Sequence, residues 1–186
     1  SWLADEKILQ RRAADVIVEV AKGNGFNPIV LLVRMQGEQS LISKTARPTG
    51  HRLDYAMGCG CFDGQNCNPA YKGLRNQLEC AVEVMVNMHT ASMDGTGWWR
   101  AGKPHNTLDG ITVTPFNHVT AALYAYTPWV SVNSGGNWLF WNILKKFSLH
   151  LESQGLVDLS RPDLDDPWVG SVCMDHSDCY LPLGHN

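Results

Sequence analysis

The sequence predicts a mainly helical single domain with long loops that disulfides hold in place. Apolar residues recur at helical spacing in several separate segments of the 186-residue chain. No two segments show the alternation and turn residues that are typical of a strand pair. A chain of this length can bury one sizeable core, so a single helical domain is the simplest interpretation.

Two helices are predicted in the first forty residues. Residues 3–22 form an amphipathic pattern that ends at the Gly-rich turn 23–25. The second helix begins with Asn27 as its N-cap and Pro28 at its first helical position, and it ends near Glu38. The apolar spacing predicts that its buried face contains Ile29, Leu32, Val33 and Gln36.

Three more helices are predicted further along the chain. They cover residues 73–91, His118–Tyr126 after the N-cap Asn117, and Asn137 to near Gly155. The irregular stretches 43–70 and 94–115 separate them, and loops of this length in a compact domain are usually functional. We therefore expect one folded domain over residues 1–155, with residues 156–186 as a Cys-containing tail that packs on it.

The composition argues against nucleic-acid binding and against a membrane span. Hydrophobic residues make up 44% of the chain and charged residues 18%, which is typical of a globular protein. The net charge is −3 and no basic run is present, so binding to nucleic acid is not expected. No stretch is long and apolar enough for a membrane span.

Six cysteines indicate disulfides and an oxidising compartment. Their pairing stays open, although Cys173 and Cys179 would close a short loop and are the simplest pair. A zinc site is the alternative for the first cluster, but the paired Cys-x-x-Cys spacing of a zinc ribbon is missing. We expect neither a metal nor a cofactor. The six residues are Cys59, Cys61, Cys67, Cys80, Cys173 and Cys179.

The surroundings of Glu38 favour a proton donor. Glu38 ends an apolar helix, where burial and the negative end of the helix dipole both disfavour a charged carboxylate. A carboxyl group whose pKa is raised in this way can act as a general acid near neutral pH. The alternative interpretation is an ordinary solvated acid at a helix end.

Cleavage of a glycosidic bond often uses a second carboxylate beside the acid. Asp54 and Asp63 are the candidates, because both lie in the loop that follows Glu38. Asp63 stands in a Phe-Asp-Gly turn sequence, so we favour Asp54. A purely structural role, through local hydrogen bonds, fits Asp54 equally well.

Aromatic side chains in loops and at helix ends indicate a sugar-binding surface, because pyranose rings stack on Tyr and Trp. Trp138 and Trp141 lie inside an apolar helix and are expected in the core instead. The candidates for sugar binding are Tyr55, Trp98, Trp99, Tyr124, Tyr126 and Trp129.

Other catalytic schemes receive less support from the sequence. There is no Gly-x-Ser-x-Gly nucleophile motif and no His-Glu-x-x-His zinc motif. Cys80 lies in the middle of a predicted helix, where a structural role is expected rather than a nucleophilic one.

Three motifs resemble the lysozyme-like superfamily, and in particular a divergent Cys-containing group of bacterial cell-wall hydrolases. The first motif joins Gly25-Phe26-Asn27-Pro28 to Gln36-Gly37-Glu38-Gln39-Ser40 through an apolar run. The other two are Ala56-Met57-Gly58-Cys59-Gly60-Cys61 and the pair Thr114-Pro115-Phe116-Asn117 and Thr120-Ala121-Ala122-Leu123-Tyr124-Ala125-Tyr126-Thr127-Pro128. The resemblance spans about residues 13–147.

The resemblance implies a lysozyme-like catalytic domain that cleaves the glycan strand of peptidoglycan with Glu38 as its acid. It also implies that a late-helix tyrosine faces the acid, which matches Tyr124 or Tyr126. Gln39 replaces the Ser that usually follows the acid and is expected to contact the substrate. The Cys-rich segment 57–67 replaces the usual Gly-Leu-Met-Gln motif, so the second carboxylate and the bond cleaved stay open.

A hydrolase of this kind is expected to act as a monomer in the periplasm or outside the cell, on peptidoglycan glycan strands. No signal peptide begins at Ser1, which with disulfides fits delivery to a target periplasm or release from a longer polypeptide. As an antibacterial effector it would have a specific immunity protein as partner, and a phage-type lysin is another role. The alternatives are an inactive glycan-binding module of a cell-envelope protein and a cysteine- or zinc-dependent peptidoglycan amidase.

Overall fold

The computed structural model describes residues 2–48, 50–62 and 65–156, and this part of the chain is mainly helical, as predicted. About 53% of it is helical, against a few two-residue strands. The helices are α1 (Trp2–Asp5), α2 (Ala13–Gly23), α3 (Pro28–Gln39), α4 (His51–Asp54), α5 (Leu74–Met93), α6 (His118–Tyr126) and α7 (Gly136–Ser153), with a 3-10 turn at Pro69–Tyr71. The strands are β1 (Lys7–Ile8), β2 (Arg11–Arg12), β3 (His105–Asn106) and β4 (Thr112–Val113).

The continuous first helix predicted over residues 3–22 is wrong in its first half. Strands β1 and β2 pair there as an antiparallel hairpin, and α2 begins only afterwards. Leu9 and Gln10 form the hairpin turn with φ of 50° and 70°, and the Leu9 side chain is exposed. Apolar spacing in a continuous helix would place Leu9 on the buried face, whereas the left-handed turn points its side chain to solvent.

Helix α3 begins and ends close to the predicted residues, but it buries a different face. The Asn27 side chain accepts a hydrogen bond from the backbone N–H of Ile29 at 3.0 Å, and Ser40 ends the helix in the left-handed conformation. The buried residues are Val30, Leu31, Val33, Arg34 and Met35, whereas Ile29, Leu32 and Gln36 stay partly exposed. The helix is apolar on nearly every side, so spacing alone could not select the face that packs against α2.

The later helices agree with the prediction. Asn117 caps α6 by accepting a hydrogen bond from the N–H of Thr120 at 2.8 Å. Helix α7 covers nearly the expected residues, and its Trp138 and Trp141 contribute to a core, as expected. That core also contains Trp99, Val113, Ala121, Tyr124 and Val130.

The chain divides within α5 into two compact units, residues 1–83 and 84–186. Helices α2 and α3 pack together in the first unit. The aromatic core just described belongs to the second unit. The predicted tail lies outside the described residues, apart from its first residue, Leu156.

The described residues contain two disulfides, Cys59–Cys80 and Cys61–Cys67, and both lie in the first unit. They confirm that the first cysteine cluster is oxidised, and they remove all four thiolates that the alternative zinc site would need. Cys173 and Cys179 lie outside the described residues.

No single helix in the described ranges is long and apolar enough to cross a membrane. Helices α2 and α3 meet the length and hydropathy requirement only when taken together, and the pair is bent by 119° at its break.

Candidate functional site

Glu38 lies in the last turn of α3, one turn after a buried arginine. Arg34 is only 4% exposed, and its Nη1 is 3.8 Å from Oε1 of Glu38. The Glu38 side chain is 36% exposed. The acid is therefore enclosed on the side of Arg34 and still accessible from solvent. The spacing of four residues could have revealed this pair in the sequence, because such residues are neighbours on a helix.

A glycine lies against the other oxygen of the same carboxyl group. A Cβ added at Gly58 would lie 3.4 Å from Oε2 of Glu38, so the loop backbone itself borders the acid. Gly58 has a φ of 67°, a conformation that other residues rarely adopt. The preceding Ala56 and Met57 are fully buried. A residue with a larger side chain at position 58 would both strain the backbone and crowd Glu38.

A buried glutamine of α5 holds this loop in place. The Oε1 of Gln77 accepts hydrogen bonds from the N–H groups of Met57 and Cys59, both at 3.1 Å. Its Nε2 donates to the carbonyl oxygens of Cys59 and Tyr71, both at 2.8 Å. The Gln77 side chain is fully buried, and the Cys59–Cys80 disulfide ties the same loop to α5 covalently.

Sequence reasoning did not single out Gln77. The feature that could have revealed it is its position: Gln77 is a polar residue on the apolar face of the predicted helix 73–91, between Leu74 and Leu78. A buried amide must find hydrogen-bond partners, but the sequence does not say which backbone groups supply them.

The electrostatics of Glu38 favour the protonated form more than in a solvated glutamate. Burial raises the pKa of its carboxyl group, and the positive charge of Arg34 opposes that rise only in part. The accessible third of the side chain and the raised pKa are compatible, because Arg34 and the Gly58 backbone exclude water from two sides of the carboxyl.

Asp54 and Tyr55 lie at the end of α4, in the same unit as Glu38. Oδ2 of Asp54 is 3.5 Å from Nζ of Lys72, and its backbone carbonyl accepts a hydrogen bond from Gly73. The Tyr55 ring packs at 4.9 Å from the ring of His51. Its carbonyl oxygen accepts a hydrogen bond from the N–H of Gly58, so Tyr55 begins the turn that borders Glu38.

Gln39 is the last residue of α3 and is partly exposed directly beside Glu38 in the sequence. Its role in substrate binding, like those of Asp54 and Tyr55, stays a prediction. Asp63 lies outside the described residues.

The aromatic candidates of the second unit fall into two groups. Trp99 and Tyr124 are buried and stack on each other with ring centroids 4.9 Å apart, as core residues do. Burial, with a smaller contribution from the charge of Asp109, raises the pKa of Tyr124, so its phenol stays protonated. Trp98 is 85% exposed and Trp129 36% exposed, and Tyr126 is half-buried. The exposed group offers the surface that a sugar ring could contact.

Metal-dependent chemistry has no candidate site among the described residues. No three His, Cys, Asp or Glu side chains there lie close enough together to hold a metal ion.

Comparisons with protein-family models, with curated proteins and with solved structures found no match to this chain. The resemblance to the lysozyme-like superfamily therefore rests on the three motifs.

Proposed function

We propose that this protein is a lysozyme-like glycoside hydrolase that cleaves the glycan strand of peptidoglycan, with Glu38 as general acid. One observation supports this assignment above the others. Glu38 has a pKa raised by burial, yet about a third of its side chain (36%) is accessible. Both properties suit a general acid, because a raised pKa favours the protonated form and accessibility lets the carboxyl reach the substrate.

The proposed reaction begins with proton transfer from the Glu38 carboxyl to the glycosidic oxygen. The bond between that oxygen and the anomeric carbon then breaks, and the sugar develops oxocarbenium character. Glu38 is left as a carboxylate, which the guanidinium of Arg34 stabilises from 3.8 Å. Arg34 thus limits the cost of the charge that the reaction leaves on a partly buried acid.

The second step depends on the group that assists Glu38. If Asp54 approaches within about 5 Å in the complex it would form a covalent intermediate, and a gap of about 6.5–9.5 Å would leave room for a water. Without a second carboxylate, Glu38 would act as base in turn, and the muramic acid would close on itself to an anhydro product. Gln39 and Tyr55 are the proposed sugar contacts in the unit of Glu38. Trp98, Tyr126 and Trp129 are proposed separately, as a sugar-binding surface of the second unit.

The disulfides bear on where the enzyme would act. Both are compatible with an oxidising compartment such as the periplasm or the extracellular space. The Cys59–Cys80 disulfide also consumes the thiol that a Cys80-dependent amidase would use. A periplasmic or extracellular cell-wall hydrolase is therefore the function that we propose, and an immunity protein is the partner expected if it serves as a weapon.

The test is the analysis of products from purified peptidoglycan. Wild type should release glycan fragments, and Glu38→Gln, which cannot donate the proton, should lower the rate at least about 10³-fold. Glu83→Gln is the matched control, because Glu83 is an exposed acid on α5 in the same unit. Mass spectrometry of the new ends identifies the bond that is cleaved.

Each outcome decides a different part of the proposal. Fragments that persist in Glu38→Gln would refute Glu38 as the acid. No fragments from wild type would favour an inactive glycan-binding module. Reducing N-acetylmuramic acid ends would show a muramidase, reducing N-acetylglucosamine ends a glucosaminidase, and anhydro ends a lytic transglycosylase.

A further inference from the structure

A positively charged segment follows the proposed acid in the chain. Between Glu38 and Asp54 the sequence contains Lys44, Arg47 and Arg52 and no carboxylate. The whole protein has a net charge of −3, so this segment departs from the average in sign. An anionic ligand would be attracted to it selectively.

The fold turns this segment into an open pocket. Residues 43–48 and Arg52 of α4 line a concavity of about 590 Å³. Lys44, Arg47 and Arg52 face it together with Ser43 and Thr45, so cationic groups and hydroxyl groups meet on one surface. A pocket of this volume fits a small molecule or a short segment of a ligand rather than a long stretch of polymer.

The three cations of the pocket are not equally available. Glu6 binds the guanidinium of Arg47 through two hydrogen bonds, of 2.6 and 2.9 Å, and so neutralises it. Within the part of the chain that the structure describes, neither Lys44 nor Arg52 has a carboxylate at ion-pair distance. Two positive charges therefore remain for a ligand.

The pocket is joined to the helix that holds the proposed acid. The side-chain amide of Gln36 donates to Oγ of Ser43 at 3.1 Å, and its oxygen accepts from the N–H of Ser43 at 2.9 Å. Gln36 precedes Glu38 by two residues on α3. A ligand in the pocket would therefore be held in a defined position relative to the acid.

We propose that this pocket binds the carboxylate groups of the peptide stems that branch from the glycan strand. This inference rests on the proposed function. The guanidinium of Arg52 can bind a carboxylate through two parallel hydrogen bonds, and Lys44 adds a compact charge. Two free charges are too few for a nucleic-acid backbone, which needs an extended series of cations. The pocket would make the enzyme favour strands whose stems are present and charged.

Binding of soluble fragments tests the inference without turnover. The probes are one disaccharide without a stem, the same disaccharide with its peptide stem, and the stem-bearing form with amidated carboxyl groups. Calorimetry with wild type should show about tenfold tighter binding of the charged stem-bearing form than of either other probe. This preference should weaken at high salt, because the pocket is open to solvent.

The decisive variant is Lys44→Ala/Arg52→Ala, with Lys44→Gln/Arg52→Gln as a second form that keeps polar side chains. Both should lose the preference for the charged stem. Lys103→Ala/Lys146→Ala is the matched control, because it removes two exposed lysines outside the pocket. The control should keep the preference, and thermal unfolding should show that all variants are folded.

The outcomes separate this inference from the proposed function. Equal affinity of wild type for the three probes would refute the pocket's role, as would a preference that persists in both double variants. Loss of preference in the control as well would show a general charge effect and would also refute it. Hydrolysis of intact, stem-bearing peptidoglycan by wild type is measured separately, so its absence would count against the glycosidase and not against the pocket.

Discussion

At the scale of single residues, the state of Glu38 depends on two neighbours that act in opposite directions. The Gly58 backbone borders one carboxyl oxygen, whereas the Arg34 guanidinium attracts the other from 3.8 Å. Burial has the larger effect, so the pKa of Glu38 is raised. In the native protein this carboxyl therefore holds its proton more tightly than it would in the unfolded chain.

The raised pKa predicts how Glu38 affects stability. Ionisation of Glu38 destabilises the native protein. This loss of stability is absent below the ordinary pKa of 4.5 and grows as the pH rises through the raised value. At neutral pH we expect Glu38→Gln to be at least as stable as wild type, since it removes a disfavoured charge. The difference in Tm should shrink as the pH falls to about 4, which thermal unfolding across a pH series would measure.

Two results would contradict this account of Glu38. One is a variant that is less stable than wild type at neutral pH, which would mean that the attraction of Arg34 exceeds the cost of burial. The other is a Tm difference that does not change with pH. Glu83→Gln serves again as control, because an exposed glutamate should show neither effect.

At the scale of elements, α5 positions the loop that borders the acid. The fully buried Gln77 side chain forms hydrogen bonds with four backbone groups, of Met57, Cys59 and Tyr71. Loss of these hydrogen bonds would leave several buried polar groups without partners. The position of Gly58 beside Glu38 therefore depends on a residue that follows Gly58 by 19 positions and Glu38 by 39.

We expect Gln77→Met to lower the free energy of unfolding by about 3 kcal/mol, since methionine has a similar volume but cannot hydrogen-bond. The Cys59–Cys80 disulfide should keep the variant folded. Displacement of the loop should also change the pH at which activity falls, because the shielding of Glu38 changes. Denaturant unfolding and the pH profile of glycan cleavage measure the two effects.

Asn76→Ala is the control for Gln77, because it removes a single exposed hydrogen bond from the same helix. It should cost less than about 1 kcal/mol and leave the pH profile unchanged. A Gln77→Met protein with wild-type stability and an unshifted profile would show that the loop does not need this glutamine.

At the scale of the whole molecule, stability should fall in mild acid because of a pair of histidines in the second unit. The rings of His89 on α5 and His118 on α6 lie 6.0 Å apart, edge to face. Burial, and then the charge of His118, lower the pKa of His89 below 6.5. The native protein therefore resists protonation of His89, whereas the unfolded chain does not.

This lowered pKa predicts a loss of stability as the pH falls through about 6.5, since the unfolded state then takes up the proton more readily. Above that pH the contribution is fully present. Between about pH 7 and pH 5 we expect the free energy of unfolding of His89→Gln to fall less than that of wild type, as measured by denaturant unfolding. His150→Gln is the control, because His150 is exposed on α7. An equal decline in His89→Gln and wild type would contradict the prediction.

The sequence by itself determined the helical class, most helix ends and the candidate acid. These depend on local signals, such as the Asn27 and Asn117 caps and apolar spacing, which act between residues a few positions apart. The hairpin before α2 was not predicted, because the helical spacing of apolar residues continues through its turn.

Only the tertiary structure decided which face of α3 is buried and which cysteines pair. It also decided that Gly58 borders the acid and that Gln77 supports the loop containing Gly58. It likewise placed Trp99 and Tyr124 in a core, because such contacts join distant segments and depend on how those segments pack.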